Sequence, residues 1–173
     1  MRIFLFLLAC GFVHSVQAQN DSLVARTTYQ TDDYTIEYPA NWALDTTGTM
    51  RSAFIVLNPI SNWSDDFREN VNLLIQDLSG QGVTLDSFVE ITESQVQRMV
   101  PEGKLIASDR IEGELPYHQM TYSGILSGQY LAIRQYFWVI EEQAYVLTFT
   151  CKLADQEKYA ELGERILSSF RFL

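Results

Sequence analysis

The sequence predicts an α+β protein in which a mainly antiparallel β-sheet is flanked by helices. Residues 130–151 form two dense apolar runs around the polar break Glu141-Glu142-Gln143, which indicates an antiparallel hairpin. Two other stretches repeat apolar residues at steps of three and four, which is typical of amphipathic helices. Further alternating runs supply the other strands. The order of strands, helix, strands and helix favours an α/β/α sandwich.

The hairpin is expected at the centre of the sheet. Alternate side chains of a strand face opposite sides. Within residues 130–140, one set contains Tyr136 and Trp138, and the other contains Ile133 and Phe137. Both faces are apolar and need cover, which a helix on each face provides. The polar break has no Asn-Gly or Asp-Gly pair, so the type of turn stays open.

Length and composition indicate one acidic globular domain. A chain of 173 residues is long enough for one domain with a core and too short for two ordinary ones. Its 47% hydrophobic content excludes a disordered chain. The formal net charge of −10 disfavours nucleic acid and anionic lipid surfaces as partners, whereas cations and basic protein surfaces remain compatible with it.

Residues 1–18 have the pattern of a secretory signal peptide. Arg2 begins it, residues 3–13 are its apolar run, and small residues precede a cleavage site after Ala18. The run is too short for a permanent membrane span. We therefore predict an exported protein, periplasmic or extracellular, with a linker at residues 19–26 and a single domain at 27–173. The alternative is a lipoprotein, because residues 7–10 have the form of a lipid-attachment box that would anchor the chain at Cys10.

The first half of the domain is expected to contain three strands and a helix. The strands are predicted at residues 34–38, 53–57 and 71–78, and Trp42 is expected to close one end of the core. The helix is predicted from an N-cap at Thr84 to about Val100. Its buried face is expected to comprise Leu85, Phe88, Val89, Thr92, Val96 and Met99.

The second half adds four strands and the last helix. Strands are predicted at residues 104–114 and 117–126, and the hairpin follows them. The last helix is expected to begin near Asp155, with Gly163 allowing its close approach to the sheet. The rest of its buried stripe comprises Tyr159, Leu162, Ile166, Leu167 and Phe170.

Four segments together resemble the PsbP-like superfamily, and in particular its small exported bacterial members. They are YTIEYPANW, FRENVNLLIQDL, TLDSFVEITESQV and ILSSFRF. The most specific pieces are Glu37-Tyr38-Pro39 with Trp42, and the run Arg68-Glu69-Asn70-Val71-Asn72. The resemblance covers residues 27–173 and implies an α/β/α sandwich found in non-enzymatic proteins.

The known roles of that superfamily do not transfer residue by residue to this chain. Plant and cyanobacterial members are lumenal accessory subunits of photosystem II, and a fungal relative of the same fold binds the GTPase Ran. No counterpart of a photosystem-docking segment is found here, and an exported protein does not meet Ran. The resemblance therefore implies an accessory module that binds other proteins.

The sequence contains no recognisable catalytic or metal-binding pattern. His118 is the one histidine outside the leader, and without a G-x-S-x-G motif a structural role is favoured. A zinc site normally needs several His or Cys ligands, and Asp65-Asp66 lacks the spacing of a calcium loop. We therefore predict no enzyme, no catalytic residue, no cofactor and no metal. The alternatives are a small-ligand or calcium-binding protein, or a hydrolase whose site has no recognisable motif.

The polar loop at residues 61–70 carries the predicted partner-binding residues. Trp63 and Phe67 are aromatic side chains next to Asp65 and Asp66, and exposed aromatic residues beside charges are typical interface anchors. The expected partner is another envelope protein. The alternative is that either ring folds back over the edge of the sheet.

Two residues of the hairpin are expected to be structural. Cys151 is the one cysteine outside the leader, so no intramolecular disulfide is expected, and its neighbours predict a core position. Arg134 lies within the first hairpin strand and needs an ion-pair partner if it is buried. The expected partners are Glu112, Glu114, Glu141 and Glu142.

Overall fold

The structure, a computed structural model, describes residues 25–63 and 65–173. Within these ranges the helices are α1 (Leu85–Met99) and α2 (Gln156–Leu167), and neither is long and apolar enough to cross a membrane. The strands are β1 (Arg26–Gln30), β2 (Tyr34–Pro39), β3 (Ala43–Asp45), β4 (Phe54–Leu57), β5 (Asn70–Asp77), β6 (Lys104–Ile111), β7 (Tyr117–Leu126), β8 (Gln129–Ile140), β9 (Gln143–Lys152) and β10 (Arg171–Phe172). The predicted leader, Cys10 and residues 19–24 of the predicted linker lie outside the described residues.

All strand pairs are antiparallel, and they form two sheets. The large sheet has the order β3-β4-β5-β9-β8-β7-β6, and the small sheet has the order β1-β2-β10. The hairpin β8–β9 lies inside the large sheet, as its two apolar faces predict. Its turn residues Glu141 and Glu142 both have positive φ, at 47° and 61°, the backbone signature of a type I′ turn.

The two faces of the large sheet carry separate cores. The α2-face core joins α2 and β2 to one face, and the α1-face core joins α1 to the other. The α2-face core includes Tyr34, Ile36, Trp42, Tyr136, Trp138, Leu147, Phe149, Cys151, Ile166, Leu167 and Phe170. The α1-face core includes Leu85, Val89, Val96, Met120, Leu131, Ile133, Phe137 and Val146. The predicted α/β/α arrangement is confirmed, with the small sheet lying beside α2.

Helix α1 begins with the predicted N-cap. The Ser87 amide donates to Thr84 Oγ1 at 3.2 Å, and Ser87 Oγ accepts from the Thr84 amide at 2.9 Å, which is the reciprocal arrangement of a capping box. The predicted burial of Met99 is wrong, because this side chain is 74% exposed. The chain leaves the helix at Val100, and that side chain packs against Gly124, where an added Cβ would lie 2.4 Å from Val100 Cγ1.

Helix α2 approaches the sheet at Gly163, as predicted. A Cβ added there would lie 2.6 Å from a ring carbon of Phe149, which is closer than real side chains come. Ile166 and Leu167 are buried on the same side of the helix. The small side chain at this position therefore sets the distance between helix and sheet.

The predicted partners of Arg134 are wrong. Its Nη1 atom lies 2.5 Å from Oε2 of Glu164 on α2. Arg134 belongs to the set of β8 side chains that includes Tyr136 and faces α2, so the helix supplies the carboxylate. The four glutamates expected from the sequence lie in turns beyond the strand ends.

Strands β1, β3 and β10 were not predicted from the sequence. β1 is partly exposed along its length, and Arg26, assigned to the linker by the sequence, is its first residue. β10 has two residues, Arg171 and Phe172, which pair with Thr35 and Tyr34 of β2. β10 depends on pairing with a distant segment, whereas β1 and β3 are short edge strands that pair with the next strand along the chain. Local periodicity reports neither kind.

Candidate binding groove

Helix α1 covers only part of its face of the large sheet. It packs over β6, β7 and β8, at one side of the strand order. Beside it, β4, β5 and β9 contribute to an uncovered depression of about 650 Å³, which we call the open groove. This volume lies within the range of cavities that hold small ligands.

The floor of the open groove follows from the alternation of β5. Val71 and Leu73 face the α2-face core, so Asn70, Asn72 and Leu74 face the groove. The neighbouring strands add apolar and hydroxyl side chains to the floor. These are Ile55, Leu57, Tyr122, Leu131, Ile133, Thr148 and Thr150.

A polar strip runs across this apolar floor. Asn70 is paired with Thr150 and Asn72 with Thr148 across β5 and β9. At the edge, Gln129 Oε1 is buried and has no hydrogen-bond partner among the described residues. Buried acceptors are normally satisfied. Gln129 therefore marks an unsatisfied polar position at the edge of the groove.

One wall of the groove is the loop that the sequence singled out. Asp66 forms an ion pair with Lys152 of β9 and accepts a hydrogen bond from Gln129 Nε2 at 3.4 Å. The hydrogen bond from Lys152 holds the pKa of Asp66 below its usual value. Phe67 is half-buried and packs against the α1-face core. Asp66 and Phe67 both line the groove, so this part of the loop is fastened to its edge.

The other two predicted residues lie in the same loop without lining the groove. Trp63 is fully exposed. Asp65 accepts hydrogen bonds from the Ser61 amide at 2.8 Å and from its hydroxyl at 2.9 Å, and the bond from the amide is the main cause that lowers the pKa of Asp65. The structure therefore assigns loop shaping to Asp65 and does not bring the four side chains into one cluster.

The opposite wall was missed by the sequence analysis. Met50 lies in the turn Thr49–Arg51 with φ of 55° and is 86% exposed. Asp45 holds this turn by accepting from the Thr47 amide at 2.8 Å and from Thr49 Oγ1 at 2.8 Å. The hydrogen bond from the Thr47 hydroxyl is the main cause that lowers the pKa of Asp45. An apolar side chain inside a polar turn was the available signal, as it was for Trp63.

The charged side chains that line the groove are acidic. Among the described lining residues they are Asp45 and Asp66, and Asp66 is ion-paired with Lys152, which lies outside the lining. The floor between these walls is mostly apolar. This combination favours a ligand that is apolar and positively charged.

The single histidine of the domain lies outside the groove. His118 Nε2 is 2.7 Å from Ser108 Oγ, and burial lowers the pKa of His118. A serine–histidine pair in catalysis is oriented by a third group, and no carboxylate is hydrogen-bonded to this ring in the described part of the chain. The pair therefore joins β6 to β7, consistent with a structural histidine.

The acidic residues near the loop do not point toward a common metal position. No group of three or more His, Cys, Asp or Glu within residues 25–63 and 65–173 is placed to hold a metal ion. Asp65 binds Ser61, Asp66 binds Lys152, and the buried Glu69 accepts from Asn58 Nδ2 at 2.7 Å. Each carboxylate has a different protein partner.

Comparison with solved structures shows a PsbP-like fold. The solution structure of cyanobacterial PsbP (CyanoP) from Synechocystis sp. PCC 6803 matches at a TM-score of 0.63 and 14% identity, covering 96% of this chain and 99% of that one. LpqN of Mycobacterium tuberculosis, described as involved in cell envelope biogenesis, matches at 0.63 and 11%, covering 88% and 93%. A Pseudomonas aeruginosa protein of unknown function matches at 0.58 and 17%, covering 83% and 94%.

At the level of sequence, no protein family and no curated protein matches the chain. The structural similarities therefore establish the fold and do not identify any site residue in this chain.

Proposed function

We propose that this protein is an exported, non-catalytic accessory module that binds a segment of another envelope protein in the open groove. The observation that carries the proposal is the uncovered, mostly apolar face beside α1, with a volume of about 650 Å³. The partner segment is apolar and basic, because Asp45 and Asp66 are the charged residues of the two walls. The net charge of −10 attracts such a partner over longer distances.

Export is proposed from the leader pattern of residues 1–18, with cleavage after Ala18 and the folded domain at residues 27–173. A lipid anchor at Cys10 is the alternative form. The description of LpqN, which shares the fold, as involved in cell envelope biogenesis agrees with a role in that compartment.

The absence of catalysis is part of the proposal and is supported by the state of the two candidate groups. His118 is hydrogen-bonded to Ser108 away from the groove. Burial raises the pKa of the Cys151 thiol to about 12, so this residue is not a thiolate nucleophile at neutral pH.

A carrier of a small apolar amine is the second candidate function. The volume of the open groove, about 650 Å³, favours it, since cavities of this size hold small ligands. The same acidic walls would hold the positive charge.

The test is site-specific photocrosslinking in cells that produce the full chain. A photoreactive residue replaces Thr150 in the groove, and a matched control replaces Glu157, an exposed residue of α2 on the opposite side. We expect one envelope protein to be crosslinked from Thr150 and not from Glu157, and the substitution Asp66→Lys to remove the product. Equal products from both positions contradict the proposal.

Native mass spectrometry of the purified protein separates the two functions. A bound small molecule that Asp66→Lys releases, without any crosslinked protein, favours the carrier. A peptide mapped from the crosslinked product, with apolar and basic residues, favours the accessory module.

A further inference from the structure

Two cavities adjoin at the end of α2, on the side of the large sheet opposite the open groove. The arginine cavity, of about 390 Å³, is lined by Arg26, Arg165 and Arg171 together with Thr35, Glu37, Ser168 and Ser169. The aromatic cavity, of about 530 Å³, is lined by Tyr117, Tyr136, Trp138, Phe170 and Phe172 with Glu114, Leu115 and Leu167. Both are lined by Ser168 and Arg171, so they adjoin at these two residues.

The arginine cavity is a concentration of positive charge on an acidic protein. Three of the 12 basic residues of this chain line it, against a formal net charge of −10. Glu37 is the one acidic residue among its described lining residues. Guanidinium groups bind carboxylates and phosphates through two parallel hydrogen bonds. The cavity therefore suits a small oxyanion.

The existing contacts of Arg26 and Arg171 leave capacity for a ligand, whereas Arg165 Nη1 is already paired with Glu161 Oε1 at 2.8 Å. Arg26 Nη1 lies 3.6 Å from Glu37 Oε2, and about half of each side chain is exposed, so this ion pair is weak. Arg171 donates from Nη1 to the carbonyl oxygens of Ser168 and Phe170 at 2.5 Å and 2.6 Å. Its Nε and Nη2 atoms make no hydrogen bond to a described residue.

The position at the C-terminal end of α2 would ordinarily repel an anion. The last carbonyls of a helix carry partial negative charge. Here the Arg171 guanidinium covers the Ser168 carbonyl at that end, as basic side chains commonly do. Arg171 therefore offsets the partial negative charge at the end of α2.

The aromatic cavity has rigid walls. Tyr117 and Trp138 are stacked with ring centroids 5.3 Å apart, and Phe170 and Phe172 meet edge to face at 5.1 Å. Leu115 is 42% exposed at its border. Rings held by packing present apolar surface without a large loss of side-chain entropy on binding. This cavity suits a planar aromatic group.

We propose that the two cavities form one site for a small aromatic anion. Its carboxylate or phosphate lies among Arg26, Arg165 and Arg171, and its ring lies against the partly exposed rings of Tyr117 and Phe172. The site is separate from the open groove, so the inference does not depend on the proposed function.

The experiment is calorimetric titration of the full chain with phenyl phosphate and with inorganic phosphate. We expect phenyl phosphate to bind at least tenfold more tightly, because inorganic phosphate makes the arginine contacts alone. Equal affinities, or no binding of phenyl phosphate, overturn the joint site.

Three variants locate the binding. Arg26→Gln is expected to weaken both ligands about tenfold, which corresponds to about 1.4 kcal/mol, because it removes one charge-assisted contact. Leu115→Ser is expected to weaken phenyl phosphate alone. Arg98→Gln on α1, the matched control, is expected to change neither. Equal losses in Arg26→Gln and Arg98→Gln would mean nonspecific attraction and would reject the site. Circular dichroism before titration checks that each variant is folded.

Discussion

Arg134 of β8 and Glu164 of α2 form an ion pair between the large sheet and the helix, with Nη1 and Oε2 at 2.5 Å. The Tyr136 hydroxyl donates to the other oxygen of the same carboxylate, also at 2.5 Å. Burial raises the pKa of Tyr136, and the hydrogen bond to Glu164 raises it further. One carboxylate therefore satisfies two polar groups on the face of β8 that α2 covers.

Glu164→Gln is expected to reduce the free energy of unfolding by about 1 kcal/mol. A hydrogen bond to a charged group contributes about 1.5–3 kcal/mol, and partial exposure of both ionic partners lowers that value. Urea denaturation measures the loss. Glu161→Gln is the matched control on the same helix, since Glu161 makes an exposed pair with Arg165 expected to contribute about 0.3 kcal/mol. Equal losses in the two variants would show that the buried tyrosine does not depend on Glu164.

Thr84→Ala is expected to destabilise the protein by about 1 kcal/mol, because it removes the side-chain cap of α1. Thr92 provides a control of the same residue type in the same helix. Its hydroxyl donates to the Phe88 carbonyl at 2.8 Å, an interaction that does not favour the helix. Thr92→Ala is therefore expected to leave thermal stability unchanged or slightly raised. A loss for Thr92→Ala as large as that for Thr84→Ala would argue against the cap.

The Cys151 thiol is expected to resist modification in the folded protein. Its pKa rises from 9.0 to about 12 through burial, so at pH 8 a thiol reagent should react only after urea unfolding. Because the folded pKa exceeds the unfolded one, the associated stability is present below about pH 9. It is lost as the pH rises from 9 to 12.

Denaturation curves between pH 8 and pH 11 test whether the free energy of unfolding falls as the pH rises. Cys151→Ala is expected to remove part of the decline in the free energy of unfolding. Buried tyrosines with raised pKa values, such as Tyr34 at about 12, account for the remainder. Rapid labelling of the native thiol at pH 8 would contradict its burial.

Replacing the two aromatic residues of the loop is expected to change the free energy of unfolding by different amounts. Phe67→Ala should cost about 1–2 kcal/mol, since the ring is half-buried against the α1-face core. Trp63→Ala should stay within about 0.5 kcal/mol, because the indole is fully exposed. Thermal denaturation measures both. Loss of acrylamide-accessible fluorescence in Trp63→Ala, with Trp42 and Trp138 still shielded, serves as the accompanying check.

Local patterns predicted the elements whose causes are local. The two apolar parities of β8, the cap at Thr84 and the close approach at Gly163 each follow from a few neighbouring residues. Met99 shows the limit of periodicity. The repeat predicts that Met99 is buried, but the chain leaves the helix at Val100, and Val100 packs against the sheet instead.

Contacts between distant segments could be predicted from the sequence only in part. The partner of Arg134 lies 30 residues away in sequence, and nothing local distinguishes Glu164 from other glutamates. The alternation of Asn70 and Asn72 with Val71 and Leu73 did signal a strand with one polar face. That α1 leaves this face uncovered depends on where the helix crosses the sheet, which the sequence pattern does not specify.

The pairing of β5 with β9 has a consequence for the order of folding. Every other neighbouring pair in the large sheet joins consecutive strands, so two meanders, β3–β5 and β6–β9, can form through local hairpins. The seam between the meanders is the β5–β9 pairing, which runs from Asn70 opposite Thr150 to Asp77 opposite Gln143. Forming it costs conformational entropy, because it closes a long intervening loop. Asn70, Asn72, Thr148 and Thr150 lie both on this seam and in the open groove. The groove is therefore expected to be assembled late in folding, and neither meander contains it alone.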